Sequence, residues 1–159
     1  LNYRRKTLLK SNRNDNAVLL TDVIFEGGIT GKALKGPICT YEFSGSVVMA
    51  QNLSNTFAIA YSITHEMGHN LGMEHDYENC GCPLDHCVMS SVFQKVDENS
   101  QTSWSKCSID QLNVAFHHGM DHCLLNIPER LFDSPTCGNG FLEENEECGT
   151  MKVPFNFLN

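Results

Sequence analysis

Two histidines one helical turn apart constrain this chain more than any other feature of its sequence. They lie in the stretch His65 to Asp76, which reads H-E-M-G-H-N-L-G-M-E-H-D. On a helix, His65 and His69 point the same way. Two imidazoles at that spacing can hold one zinc ion at about 2.0–2.1 Å each. The stretch therefore predicts a metal-binding helix.

The residues after this helix predict a third ligand and a reaction. Gly72 can adopt a left-handed conformation, which turns the chain back and lets His75 supply a third nitrogen. Three protein ligands leave one position open for water, which is typical of a catalytic zinc site. Glu66, beside the first ligand, can then take a proton from that water. The pattern predicts hydrolysis, with Glu66 as the general base.

Two other interpretations of the motif are weaker. Unrelated histidines on a surface helix would not require five fixed positions and a turn glycine. A structural zinc site usually has four closed ligands, often cysteines, and these cysteines are better placed for disulfides. Met89 strengthens the catalytic interpretation, because a methionine after the third histidine fits a turn that lays a thioether under the zinc ligands.

The cysteine count and the net charge limit the class of protein. Eight cysteines in 159 residues indicate a disulfide framework in an oxidising compartment. A net charge of −8 argues against nucleic acid as the main partner. No apolar run approaches the roughly 18 residues that a membrane span needs. We interpret the basic start of the chain as a solvated helix face; its charged residues are Arg4, Arg5, Lys6, Lys10 and Arg13.

Hydrophobic patterning predicts strands before the motif and helices around it. Residues 17–25 are almost continuously apolar and predict a buried strand, and residues 46–49 predict a second strand. A helix is predicted over residues 55–71, capped by Asn55 or Thr56.

Beyond the motif, residues 77–103 predict an irregular region stapled by cysteines. A further helix is predicted over residues 108–118. Ser108 and Gln111 form its capping box, and Gly119 ends it.

On these residues the chain resembles the reprolysin (adamalysin) branch of the metzincins, which includes the ADAM proteins and snake-venom metalloproteases. Asp76 directly after His75 is typical of that branch. Residues 14–21 resemble its H-D-N-A-Q-L-L-T strand, and residues 123–126 resemble the end of its catalytic domain. The resemblance implies an α/β metzincin fold, a twisted mixed sheet with an active-site helix.

The resemblance also implies a domain organisation. Residues 1–126 would be a reprolysin-type metalloprotease domain that lacks its N-terminal part, and 127–135 a linker. Residues 136–149 resemble the beginning of a disintegrin-like domain, and 150–159 are a divergent tail.

Several site residues follow from the resemblance alone. The substrate-binding edge strand would comprise Ile29, Thr30, Gly31, Lys32 and Ala33. The disulfides would pair Cys39 with Cys123, Cys80 with Cys107, and Cys82 with Cys87, whereas the pairing of Cys137 and Cys148 stays open. A structural calcium site would use the Asp15 side chain, the Cys123 carbonyl and the Asn126 side chain. Asp76 and Met89 would be supporting residues.

The function implied is that of a zinc metalloendopeptidase acting on extracellular or cell-surface proteins. Its partners would be protein or peptide substrates, and integrins through a disintegrin segment that is too short for a full integrin-binding loop. The protein is expected outside the cell, secreted or as part of an ectodomain. The alternative is an inactive fragment that acts as a binding or adhesion module.

Overall fold

A three-stranded mixed sheet and one long helix form the centre of the fold. The computed structural model describes residues 1–11, 13–51, 55–92 and 95–126. The strands are β1 (Val18–Thr21), β2 (Gly31–Ala33) and β3 (Ser46–Met49). They lie in the order β1-β3-β2, with β1 parallel and β2 antiparallel to β3. The long helix packs against β2 and β3. The expected α/β fold with a mixed sheet is confirmed.

Shorter elements surround this centre. The chain begins with a π-helical turn (Arg4–Leu8) that continues into α1 (Leu9–Ser11). A 3-10 turn, Glu26–Gly28, precedes β2. Two short parallel strands, β4 (His86–Cys87) and β5 (Thr102–Ser103), lie in the region predicted to be irregular. No helix in the described parts of the chain is both long and apolar enough to cross a membrane.

The predicted buried strand over residues 17–25 is shorter and more exposed than expected. Only Val18–Thr21 form β1, and Leu19 is 63% exposed. Val23 and Ile24, which follow the strand, are also exposed. The burial prediction is wrong because β1 is an edge strand, with β3 as its only neighbour among the described strands. An apolar run shows that a strand can be buried, but neighbouring elements decide whether it is.

The two helices after the sheet differ in how well their ends were predicted. Helix α2 spans Thr56–Asn70, and the Asn55 side chain caps it by accepting a hydrogen bond from the Ala58 amide at 3.0 Å. Helix α3 spans Lys106–His117 and begins earlier than predicted. Its cap is Ser105, whose hydroxyl accepts a hydrogen bond from the Ser108 amide at 3.0 Å. Ser108 is therefore inside the helix, and its predicted role as the cap is wrong.

Three disulfides connect the loops around these helices. They join Cys39 to Cys123, Cys80 to Cys107, and Cys82 to Cys87, the same pairs that the family resemblance implies. Cys82–Cys87 lies within the region between α2 and α3, and Cys80–Cys107 links that region to α3. Because that region contains few regular elements, the covalent links limit its conformations.

The basic N-terminal segment is not entirely a solvated face. Arg4 is 5% exposed. Its guanidinium donates to the Asn14 carbonyl at 2.7 Å and to the Thr40 and Tyr41 carbonyls at 3.0 Å each. Burial lowers the pKa of Arg4, and the nearby Asp15 carboxylate opposes that shift. Arg4 thus holds the start of the chain against two loops, and the prediction of a solvated position is wrong for this residue.

The chain divides into two units, residues Leu1–Leu125 and Asn126–Asn159. The fold above belongs to the first unit. The predicted linker, disintegrin-like segment and tail lie outside the described residues, as do Cys137 and Cys148. Their boundaries stay predictions.

Candidate active site

The imidazoles of His65, His69 and His75 converge on one point. Their ligating nitrogens all lie within 4.8 Å of one another. The Nε2 atom of His75 is 3.1 Å from that of His65 and 3.2 Å from that of His69. Helix α2 carries the first two rings one turn apart, and the chain reversal at Gly72 (φ +101°) returns the third. Among the described residues, no other group of three His, Cys, Asp or Glu side chains is arranged in this way.

Two backbone carbonyls set the tautomers of the helical histidines. Nδ1 of His65 lies 2.6 Å from the Val88 carbonyl, and Nδ1 of His69 lies 2.9 Å from the Met73 carbonyl. Because a carbonyl can only accept, each Nδ1 is the protonated nitrogen. Each Nε2 therefore presents a lone pair to the common point. Burial is the largest cause that lowers the pKa of both rings, so both are predominantly neutral at physiological pH.

This donor set fits zinc. Two nitrogen ligands at about 2.05 Å in a tetrahedron lie about 3.3 Å apart, close to the separations of the His75 nitrogen from the other two. The Nε2 lone pairs of His65 and His69 point at the Nε2 of His75, and a cation between the three nitrogens would satisfy them all. Hydrogen bonds from the opposite ring nitrogens to backbone carbonyls are the usual support for zinc-binding histidines.

A buried carboxyl group lies next to the three imidazoles. Glu66 is 5% exposed, and its Oε2 atom has no hydrogen-bond partner among the described residues. Burial raises the pKa of Glu66 to about 7. Gly31 on β2 makes this position possible, since a Cβ there would approach Cγ and Cδ of Glu66 to 2.8 Å. A carboxyl with a pKa near neutrality can both accept and return a proton at physiological pH.

Met89 lies beneath the helix that carries the histidines. It is fully buried, and a Cβ at Gly68 would lie 2.5 Å from its sulfur. Met73 and Trp104 pack against the same glycine. The lack of a side chain at Gly68 therefore lets Met89 approach the backbone of α2 closely. The thioether lies against the backbone of α2, and its role beneath the zinc ligands stays a prediction.

Asp76 connects the third histidine to α3. Its carboxylate accepts hydrogen bonds from the hydroxyls of Ser105 and Ser108, the latter at 3.2 Å. Its backbone amide donates to the Met89 carbonyl at 2.7 Å. The His75 segment is thus joined on its C-terminal side to the turn containing Met89 and to the start of α3. Sequence reasoning gave Asp76 a supporting role but missed Ser105, because serine at a helix start has no pattern that reveals a second partner.

A cavity of about 550 Å³ opens over these groups. Its lining includes the residues predicted to bind substrate: Ile29, Thr30, Gly31, Lys32 and Ala33. The three histidines and Glu66 line the same cavity, together with Tyr61 and Val92. The structure therefore brings the predicted edge strand and the predicted ligands to one concave surface.

The calcium site remains a prediction. Asp15 is exposed, and Asn126 is the first residue of the second unit.

Comparisons with known proteins agree with this geometry. A sequence model of the Reprolysin (M12B) family zinc metalloproteases matches residues 1–128. Disintegrin and metalloproteinase domain-containing protein adm-2 of Caenorhabditis elegans is 35% identical over 147 residues, which cover 91% of this chain. Zinc metalloproteinase-disintegrin-like atragin of Naja atra is 40% identical over 148 residues, 92% of this chain. Snake venom metalloproteinase-disintegrin-like mocarhagin of Naja mossambica is 37% identical over the same length.

These curated relatives are much longer than the chain. The matched part spans 15% of the Caenorhabditis elegans protein, 23% of atragin and 24% of mocarhagin. The similarity confirms the resemblance to ADAM and venom metalloproteases that the motifs indicated.

Proposed function

Because this chain belongs to the Reprolysin (M12B) family of zinc metalloproteases, we propose that it is a zinc-dependent metalloendopeptidase. Its substrates would be peptide bonds of extracellular or cell-surface proteins. The observation that carries the proposal is the convergence of three histidine nitrogens beside a buried carboxyl group in one cavity. The three disulfides support a location outside the cell, where such bonds persist.

His65, His69 and His75 would hold the zinc ion through their Nε2 atoms. Zinc bound there supplies Lewis-acid polarisation of a peptide carbonyl and lowers the pKa of water to about 7. The carbonyls of Val88 and Met73 keep two of the rings in the tautomer that offers Nε2. Asp76 and Met89 support this arrangement and have no chemical role.

Glu66 would move the proton. In its ionised form it accepts a proton from the attacking water and then delivers it to the leaving amine nitrogen. In the metal-free chain burial raises the pKa of Glu66 to about 7, so this carboxyl group can take up and release a proton near neutral pH. Its burial beside Gly31 also fixes the side chain within the cavity.

Strand β2 would orient the substrate. Among the described strands it pairs with β3 alone, and its residues line the cavity. An extended peptide can add to such an edge as a further strand. That pairing would carry the scissile carbonyl past the histidines. Integrin binding by residues 136–149 is the weaker prediction, since only the resemblance of that segment to a disintegrin-like domain supports it.

Zinc content and peptide cleavage test the proposal together. The whole chain is produced in an oxidising compartment and dialysed without chelator, and its zinc is measured by elemental analysis. We expect about one zinc per chain, lost in His65→Ala and retained in His122→Ala, a matched change at an exposed histidine.

Cleavage of a peptide library then separates binding from catalysis. Glu66→Ala should bind zinc and cleave about 10²–10⁴ times more slowly than the wild type. If the zinc-loaded Glu66→Ala protein cleaved peptides at the wild-type rate, that result would overturn the mechanism. A wild-type chain that binds no zinc would favour the alternative, an inactive binding module.

A further inference from the structure

The third histidine is supported differently from the other two. His65 and His69 each place Nδ1 against a backbone carbonyl. His75 is exposed, and within the described residues its Nδ1 has no hydrogen-bond partner. Its orientation therefore depends on how the backbone on either side of it is held.

The two sides of His75 are held by different groups. On the C-terminal side, Asp76 contacts the Met89 carbonyl and the hydroxyls of Ser105 and Ser108 at the start of α3. On the N-terminal side, the Glu74 amide donates a hydrogen bond to Oε1 of Gln111 at 2.7 Å. The Glu74 side chain also pairs with Lys35, but both groups are exposed, and such ion pairs hold a backbone weakly.

Gln111 lies on the face of α3 that packs along the loop containing His75. Ser108 contacts Asp76, Gln111 contacts Glu74, and a Cβ at Gly72 would lie 3.1 Å from that of Ala115. The helix residues are spaced three and four apart, so they share a face. Each contacts an alternate residue of the loop. Gln111 makes the middle contact, immediately before His75.

We propose that Gln111 is a positioning residue for the third zinc ligand. Its side-chain oxygen fixes the Glu74 amide and thereby the start of the peptide that bears His75. Gln111 does not itself line the cavity, and its side-chain oxygen accepts from the backbone beside His75. The inference rests on the proposed function of the histidines as zinc ligands.

The test compares zinc affinity in three variants of the whole chain. Gln111→Met keeps the length of the side chain and removes the oxygen acceptor. Gln111→Glu keeps an acceptor at the same place. Asn113→Met is the matched control, an exposed position on the same helix. Zinc dissociation constants are measured by competition with a chelator, and the visible absorption of the cobalt(II)-substituted protein reports ligand geometry.

We expect Gln111→Met to weaken zinc binding about tenfold and to change the cobalt spectrum. Gln111→Glu and Asn113→Met should bind zinc within about threefold of the wild type. A purely structural role would lower the melting temperature of the chelated protein and leave zinc affinity and the cobalt spectrum unchanged. That result would overturn the inference.

Two further results separate this inference from the proposed function. If the wild type binds zinc and loses it in His65→Ala, but Gln111→Met binds it equally well, only the role of Gln111 is wrong. If the wild type binds no zinc, the proposed function fails first. Should Gln111→Met not fold, Gln111→Ala replaces it, since alanine has the highest helix propensity; unchanged zinc affinity in that variant overturns the inference.

Discussion

At the scale of single residues, the site combines neutral imidazoles with a carboxyl group that burial keeps partly protonated. Burial lowers the pKa values of His65 and His69 and raises the pKa of Glu66 to about 7. Neutral imidazole is the form that binds a metal. Without a metal, however, an ionised Glu66 lies in surroundings that do not satisfy its Oε2 atom. Burial of this carboxyl group therefore reduces the stability of the metal-free chain when the group is ionised.

This cost of burying Glu66 should be measurable as a pH dependence. The pKa of Glu66 rises from 4.5 to about 7 on folding, so between these values the folded chain binds more protons than the unfolded chain. The free energy of unfolding consequently falls as pH rises, and the whole cost is present above pH 7. We therefore compare the free energy of unfolding of Glu66→Gln with that of the wild type at two pH values. We expect the difference, variant minus wild type, to be about 1–2 kcal/mol larger at pH 8 than at pH 5.

Urea denaturation of the chelated proteins at both pH values measures this difference. Any cost of the glutamine that does not depend on pH cancels in the comparison. If the stability difference between Glu66→Gln and the wild type were the same at pH 5 and pH 8, burial would not penalise the ionised form of Glu66.

At the scale of elements, α2 depends on the methionine beneath it. Met89 is fully buried and lies against Gly68. Gly68 stands between the two histidines in the sequence of the helix. It belongs to a small core with Met73 and Val88, and Trp104 packs against it. The Val88 carbonyl, beside Met89 in the chain, also orients His65. The same turn therefore supports the helix through packing and the ligand through a hydrogen bond.

Truncation of this methionine should destabilise the chain strongly. Met89→Ala removes a fully buried side chain and leaves a cavity, so we expect the free energy of unfolding to fall by about 2–5 kcal/mol. Met67→Ala is the matched control, because Met67 lies on α2 and is 39% exposed; its loss should be below about 1 kcal/mol. Equal losses in chemical denaturation would contradict the role assigned to Met89.

At the scale of the whole molecule, disulfides constrain a chain whose sheet is small. The described residues form a main sheet of three strands, and β1 exposes apolar side chains at its edge. Cys39–Cys123 links positions 84 residues apart, whereas Cys82–Cys87 closes a separation of five. Because the entropy lost by the unfolded chain grows with loop length, the long-range disulfide constrains it more.

The two disulfides should therefore differ in their effect on stability. Loop-closure entropy predicts that the disulfide closing the long loop stabilises the folded chain by about 4.6 kcal/mol, and the one closing the short loop by about 2 kcal/mol. We expect the double serine variant at Cys39 and Cys123 to lose more than the double serine variant at Cys82 and Cys87, as measured by guanidinium denaturation. The reverse order would show that local contacts around Cys87 outweigh chain entropy.

The sequence alone determined the three histidines that converge in the structure, the helix that carries two of them and the family to which the chain belongs. These features are local: the spacing of His65 and His69 and the turn at Gly72 follow from helix geometry and backbone sterics. The cap at Asn55 was also predictable, since a side chain there needs only the amide at the start of its own helix.

Only the tertiary structure decided which groups support those residues. Val88 and Met73 orient the imidazoles through carbonyls that every residue has, so no side-chain pattern reveals them. Ser105 replaced Ser108 as the cap, and Gln111 contacts the Glu74 amide where a capping box was expected. The exposure of β1 likewise depended on which strands lie beside it. Such contacts join distant parts of the chain, and local periodicity contains no information about them.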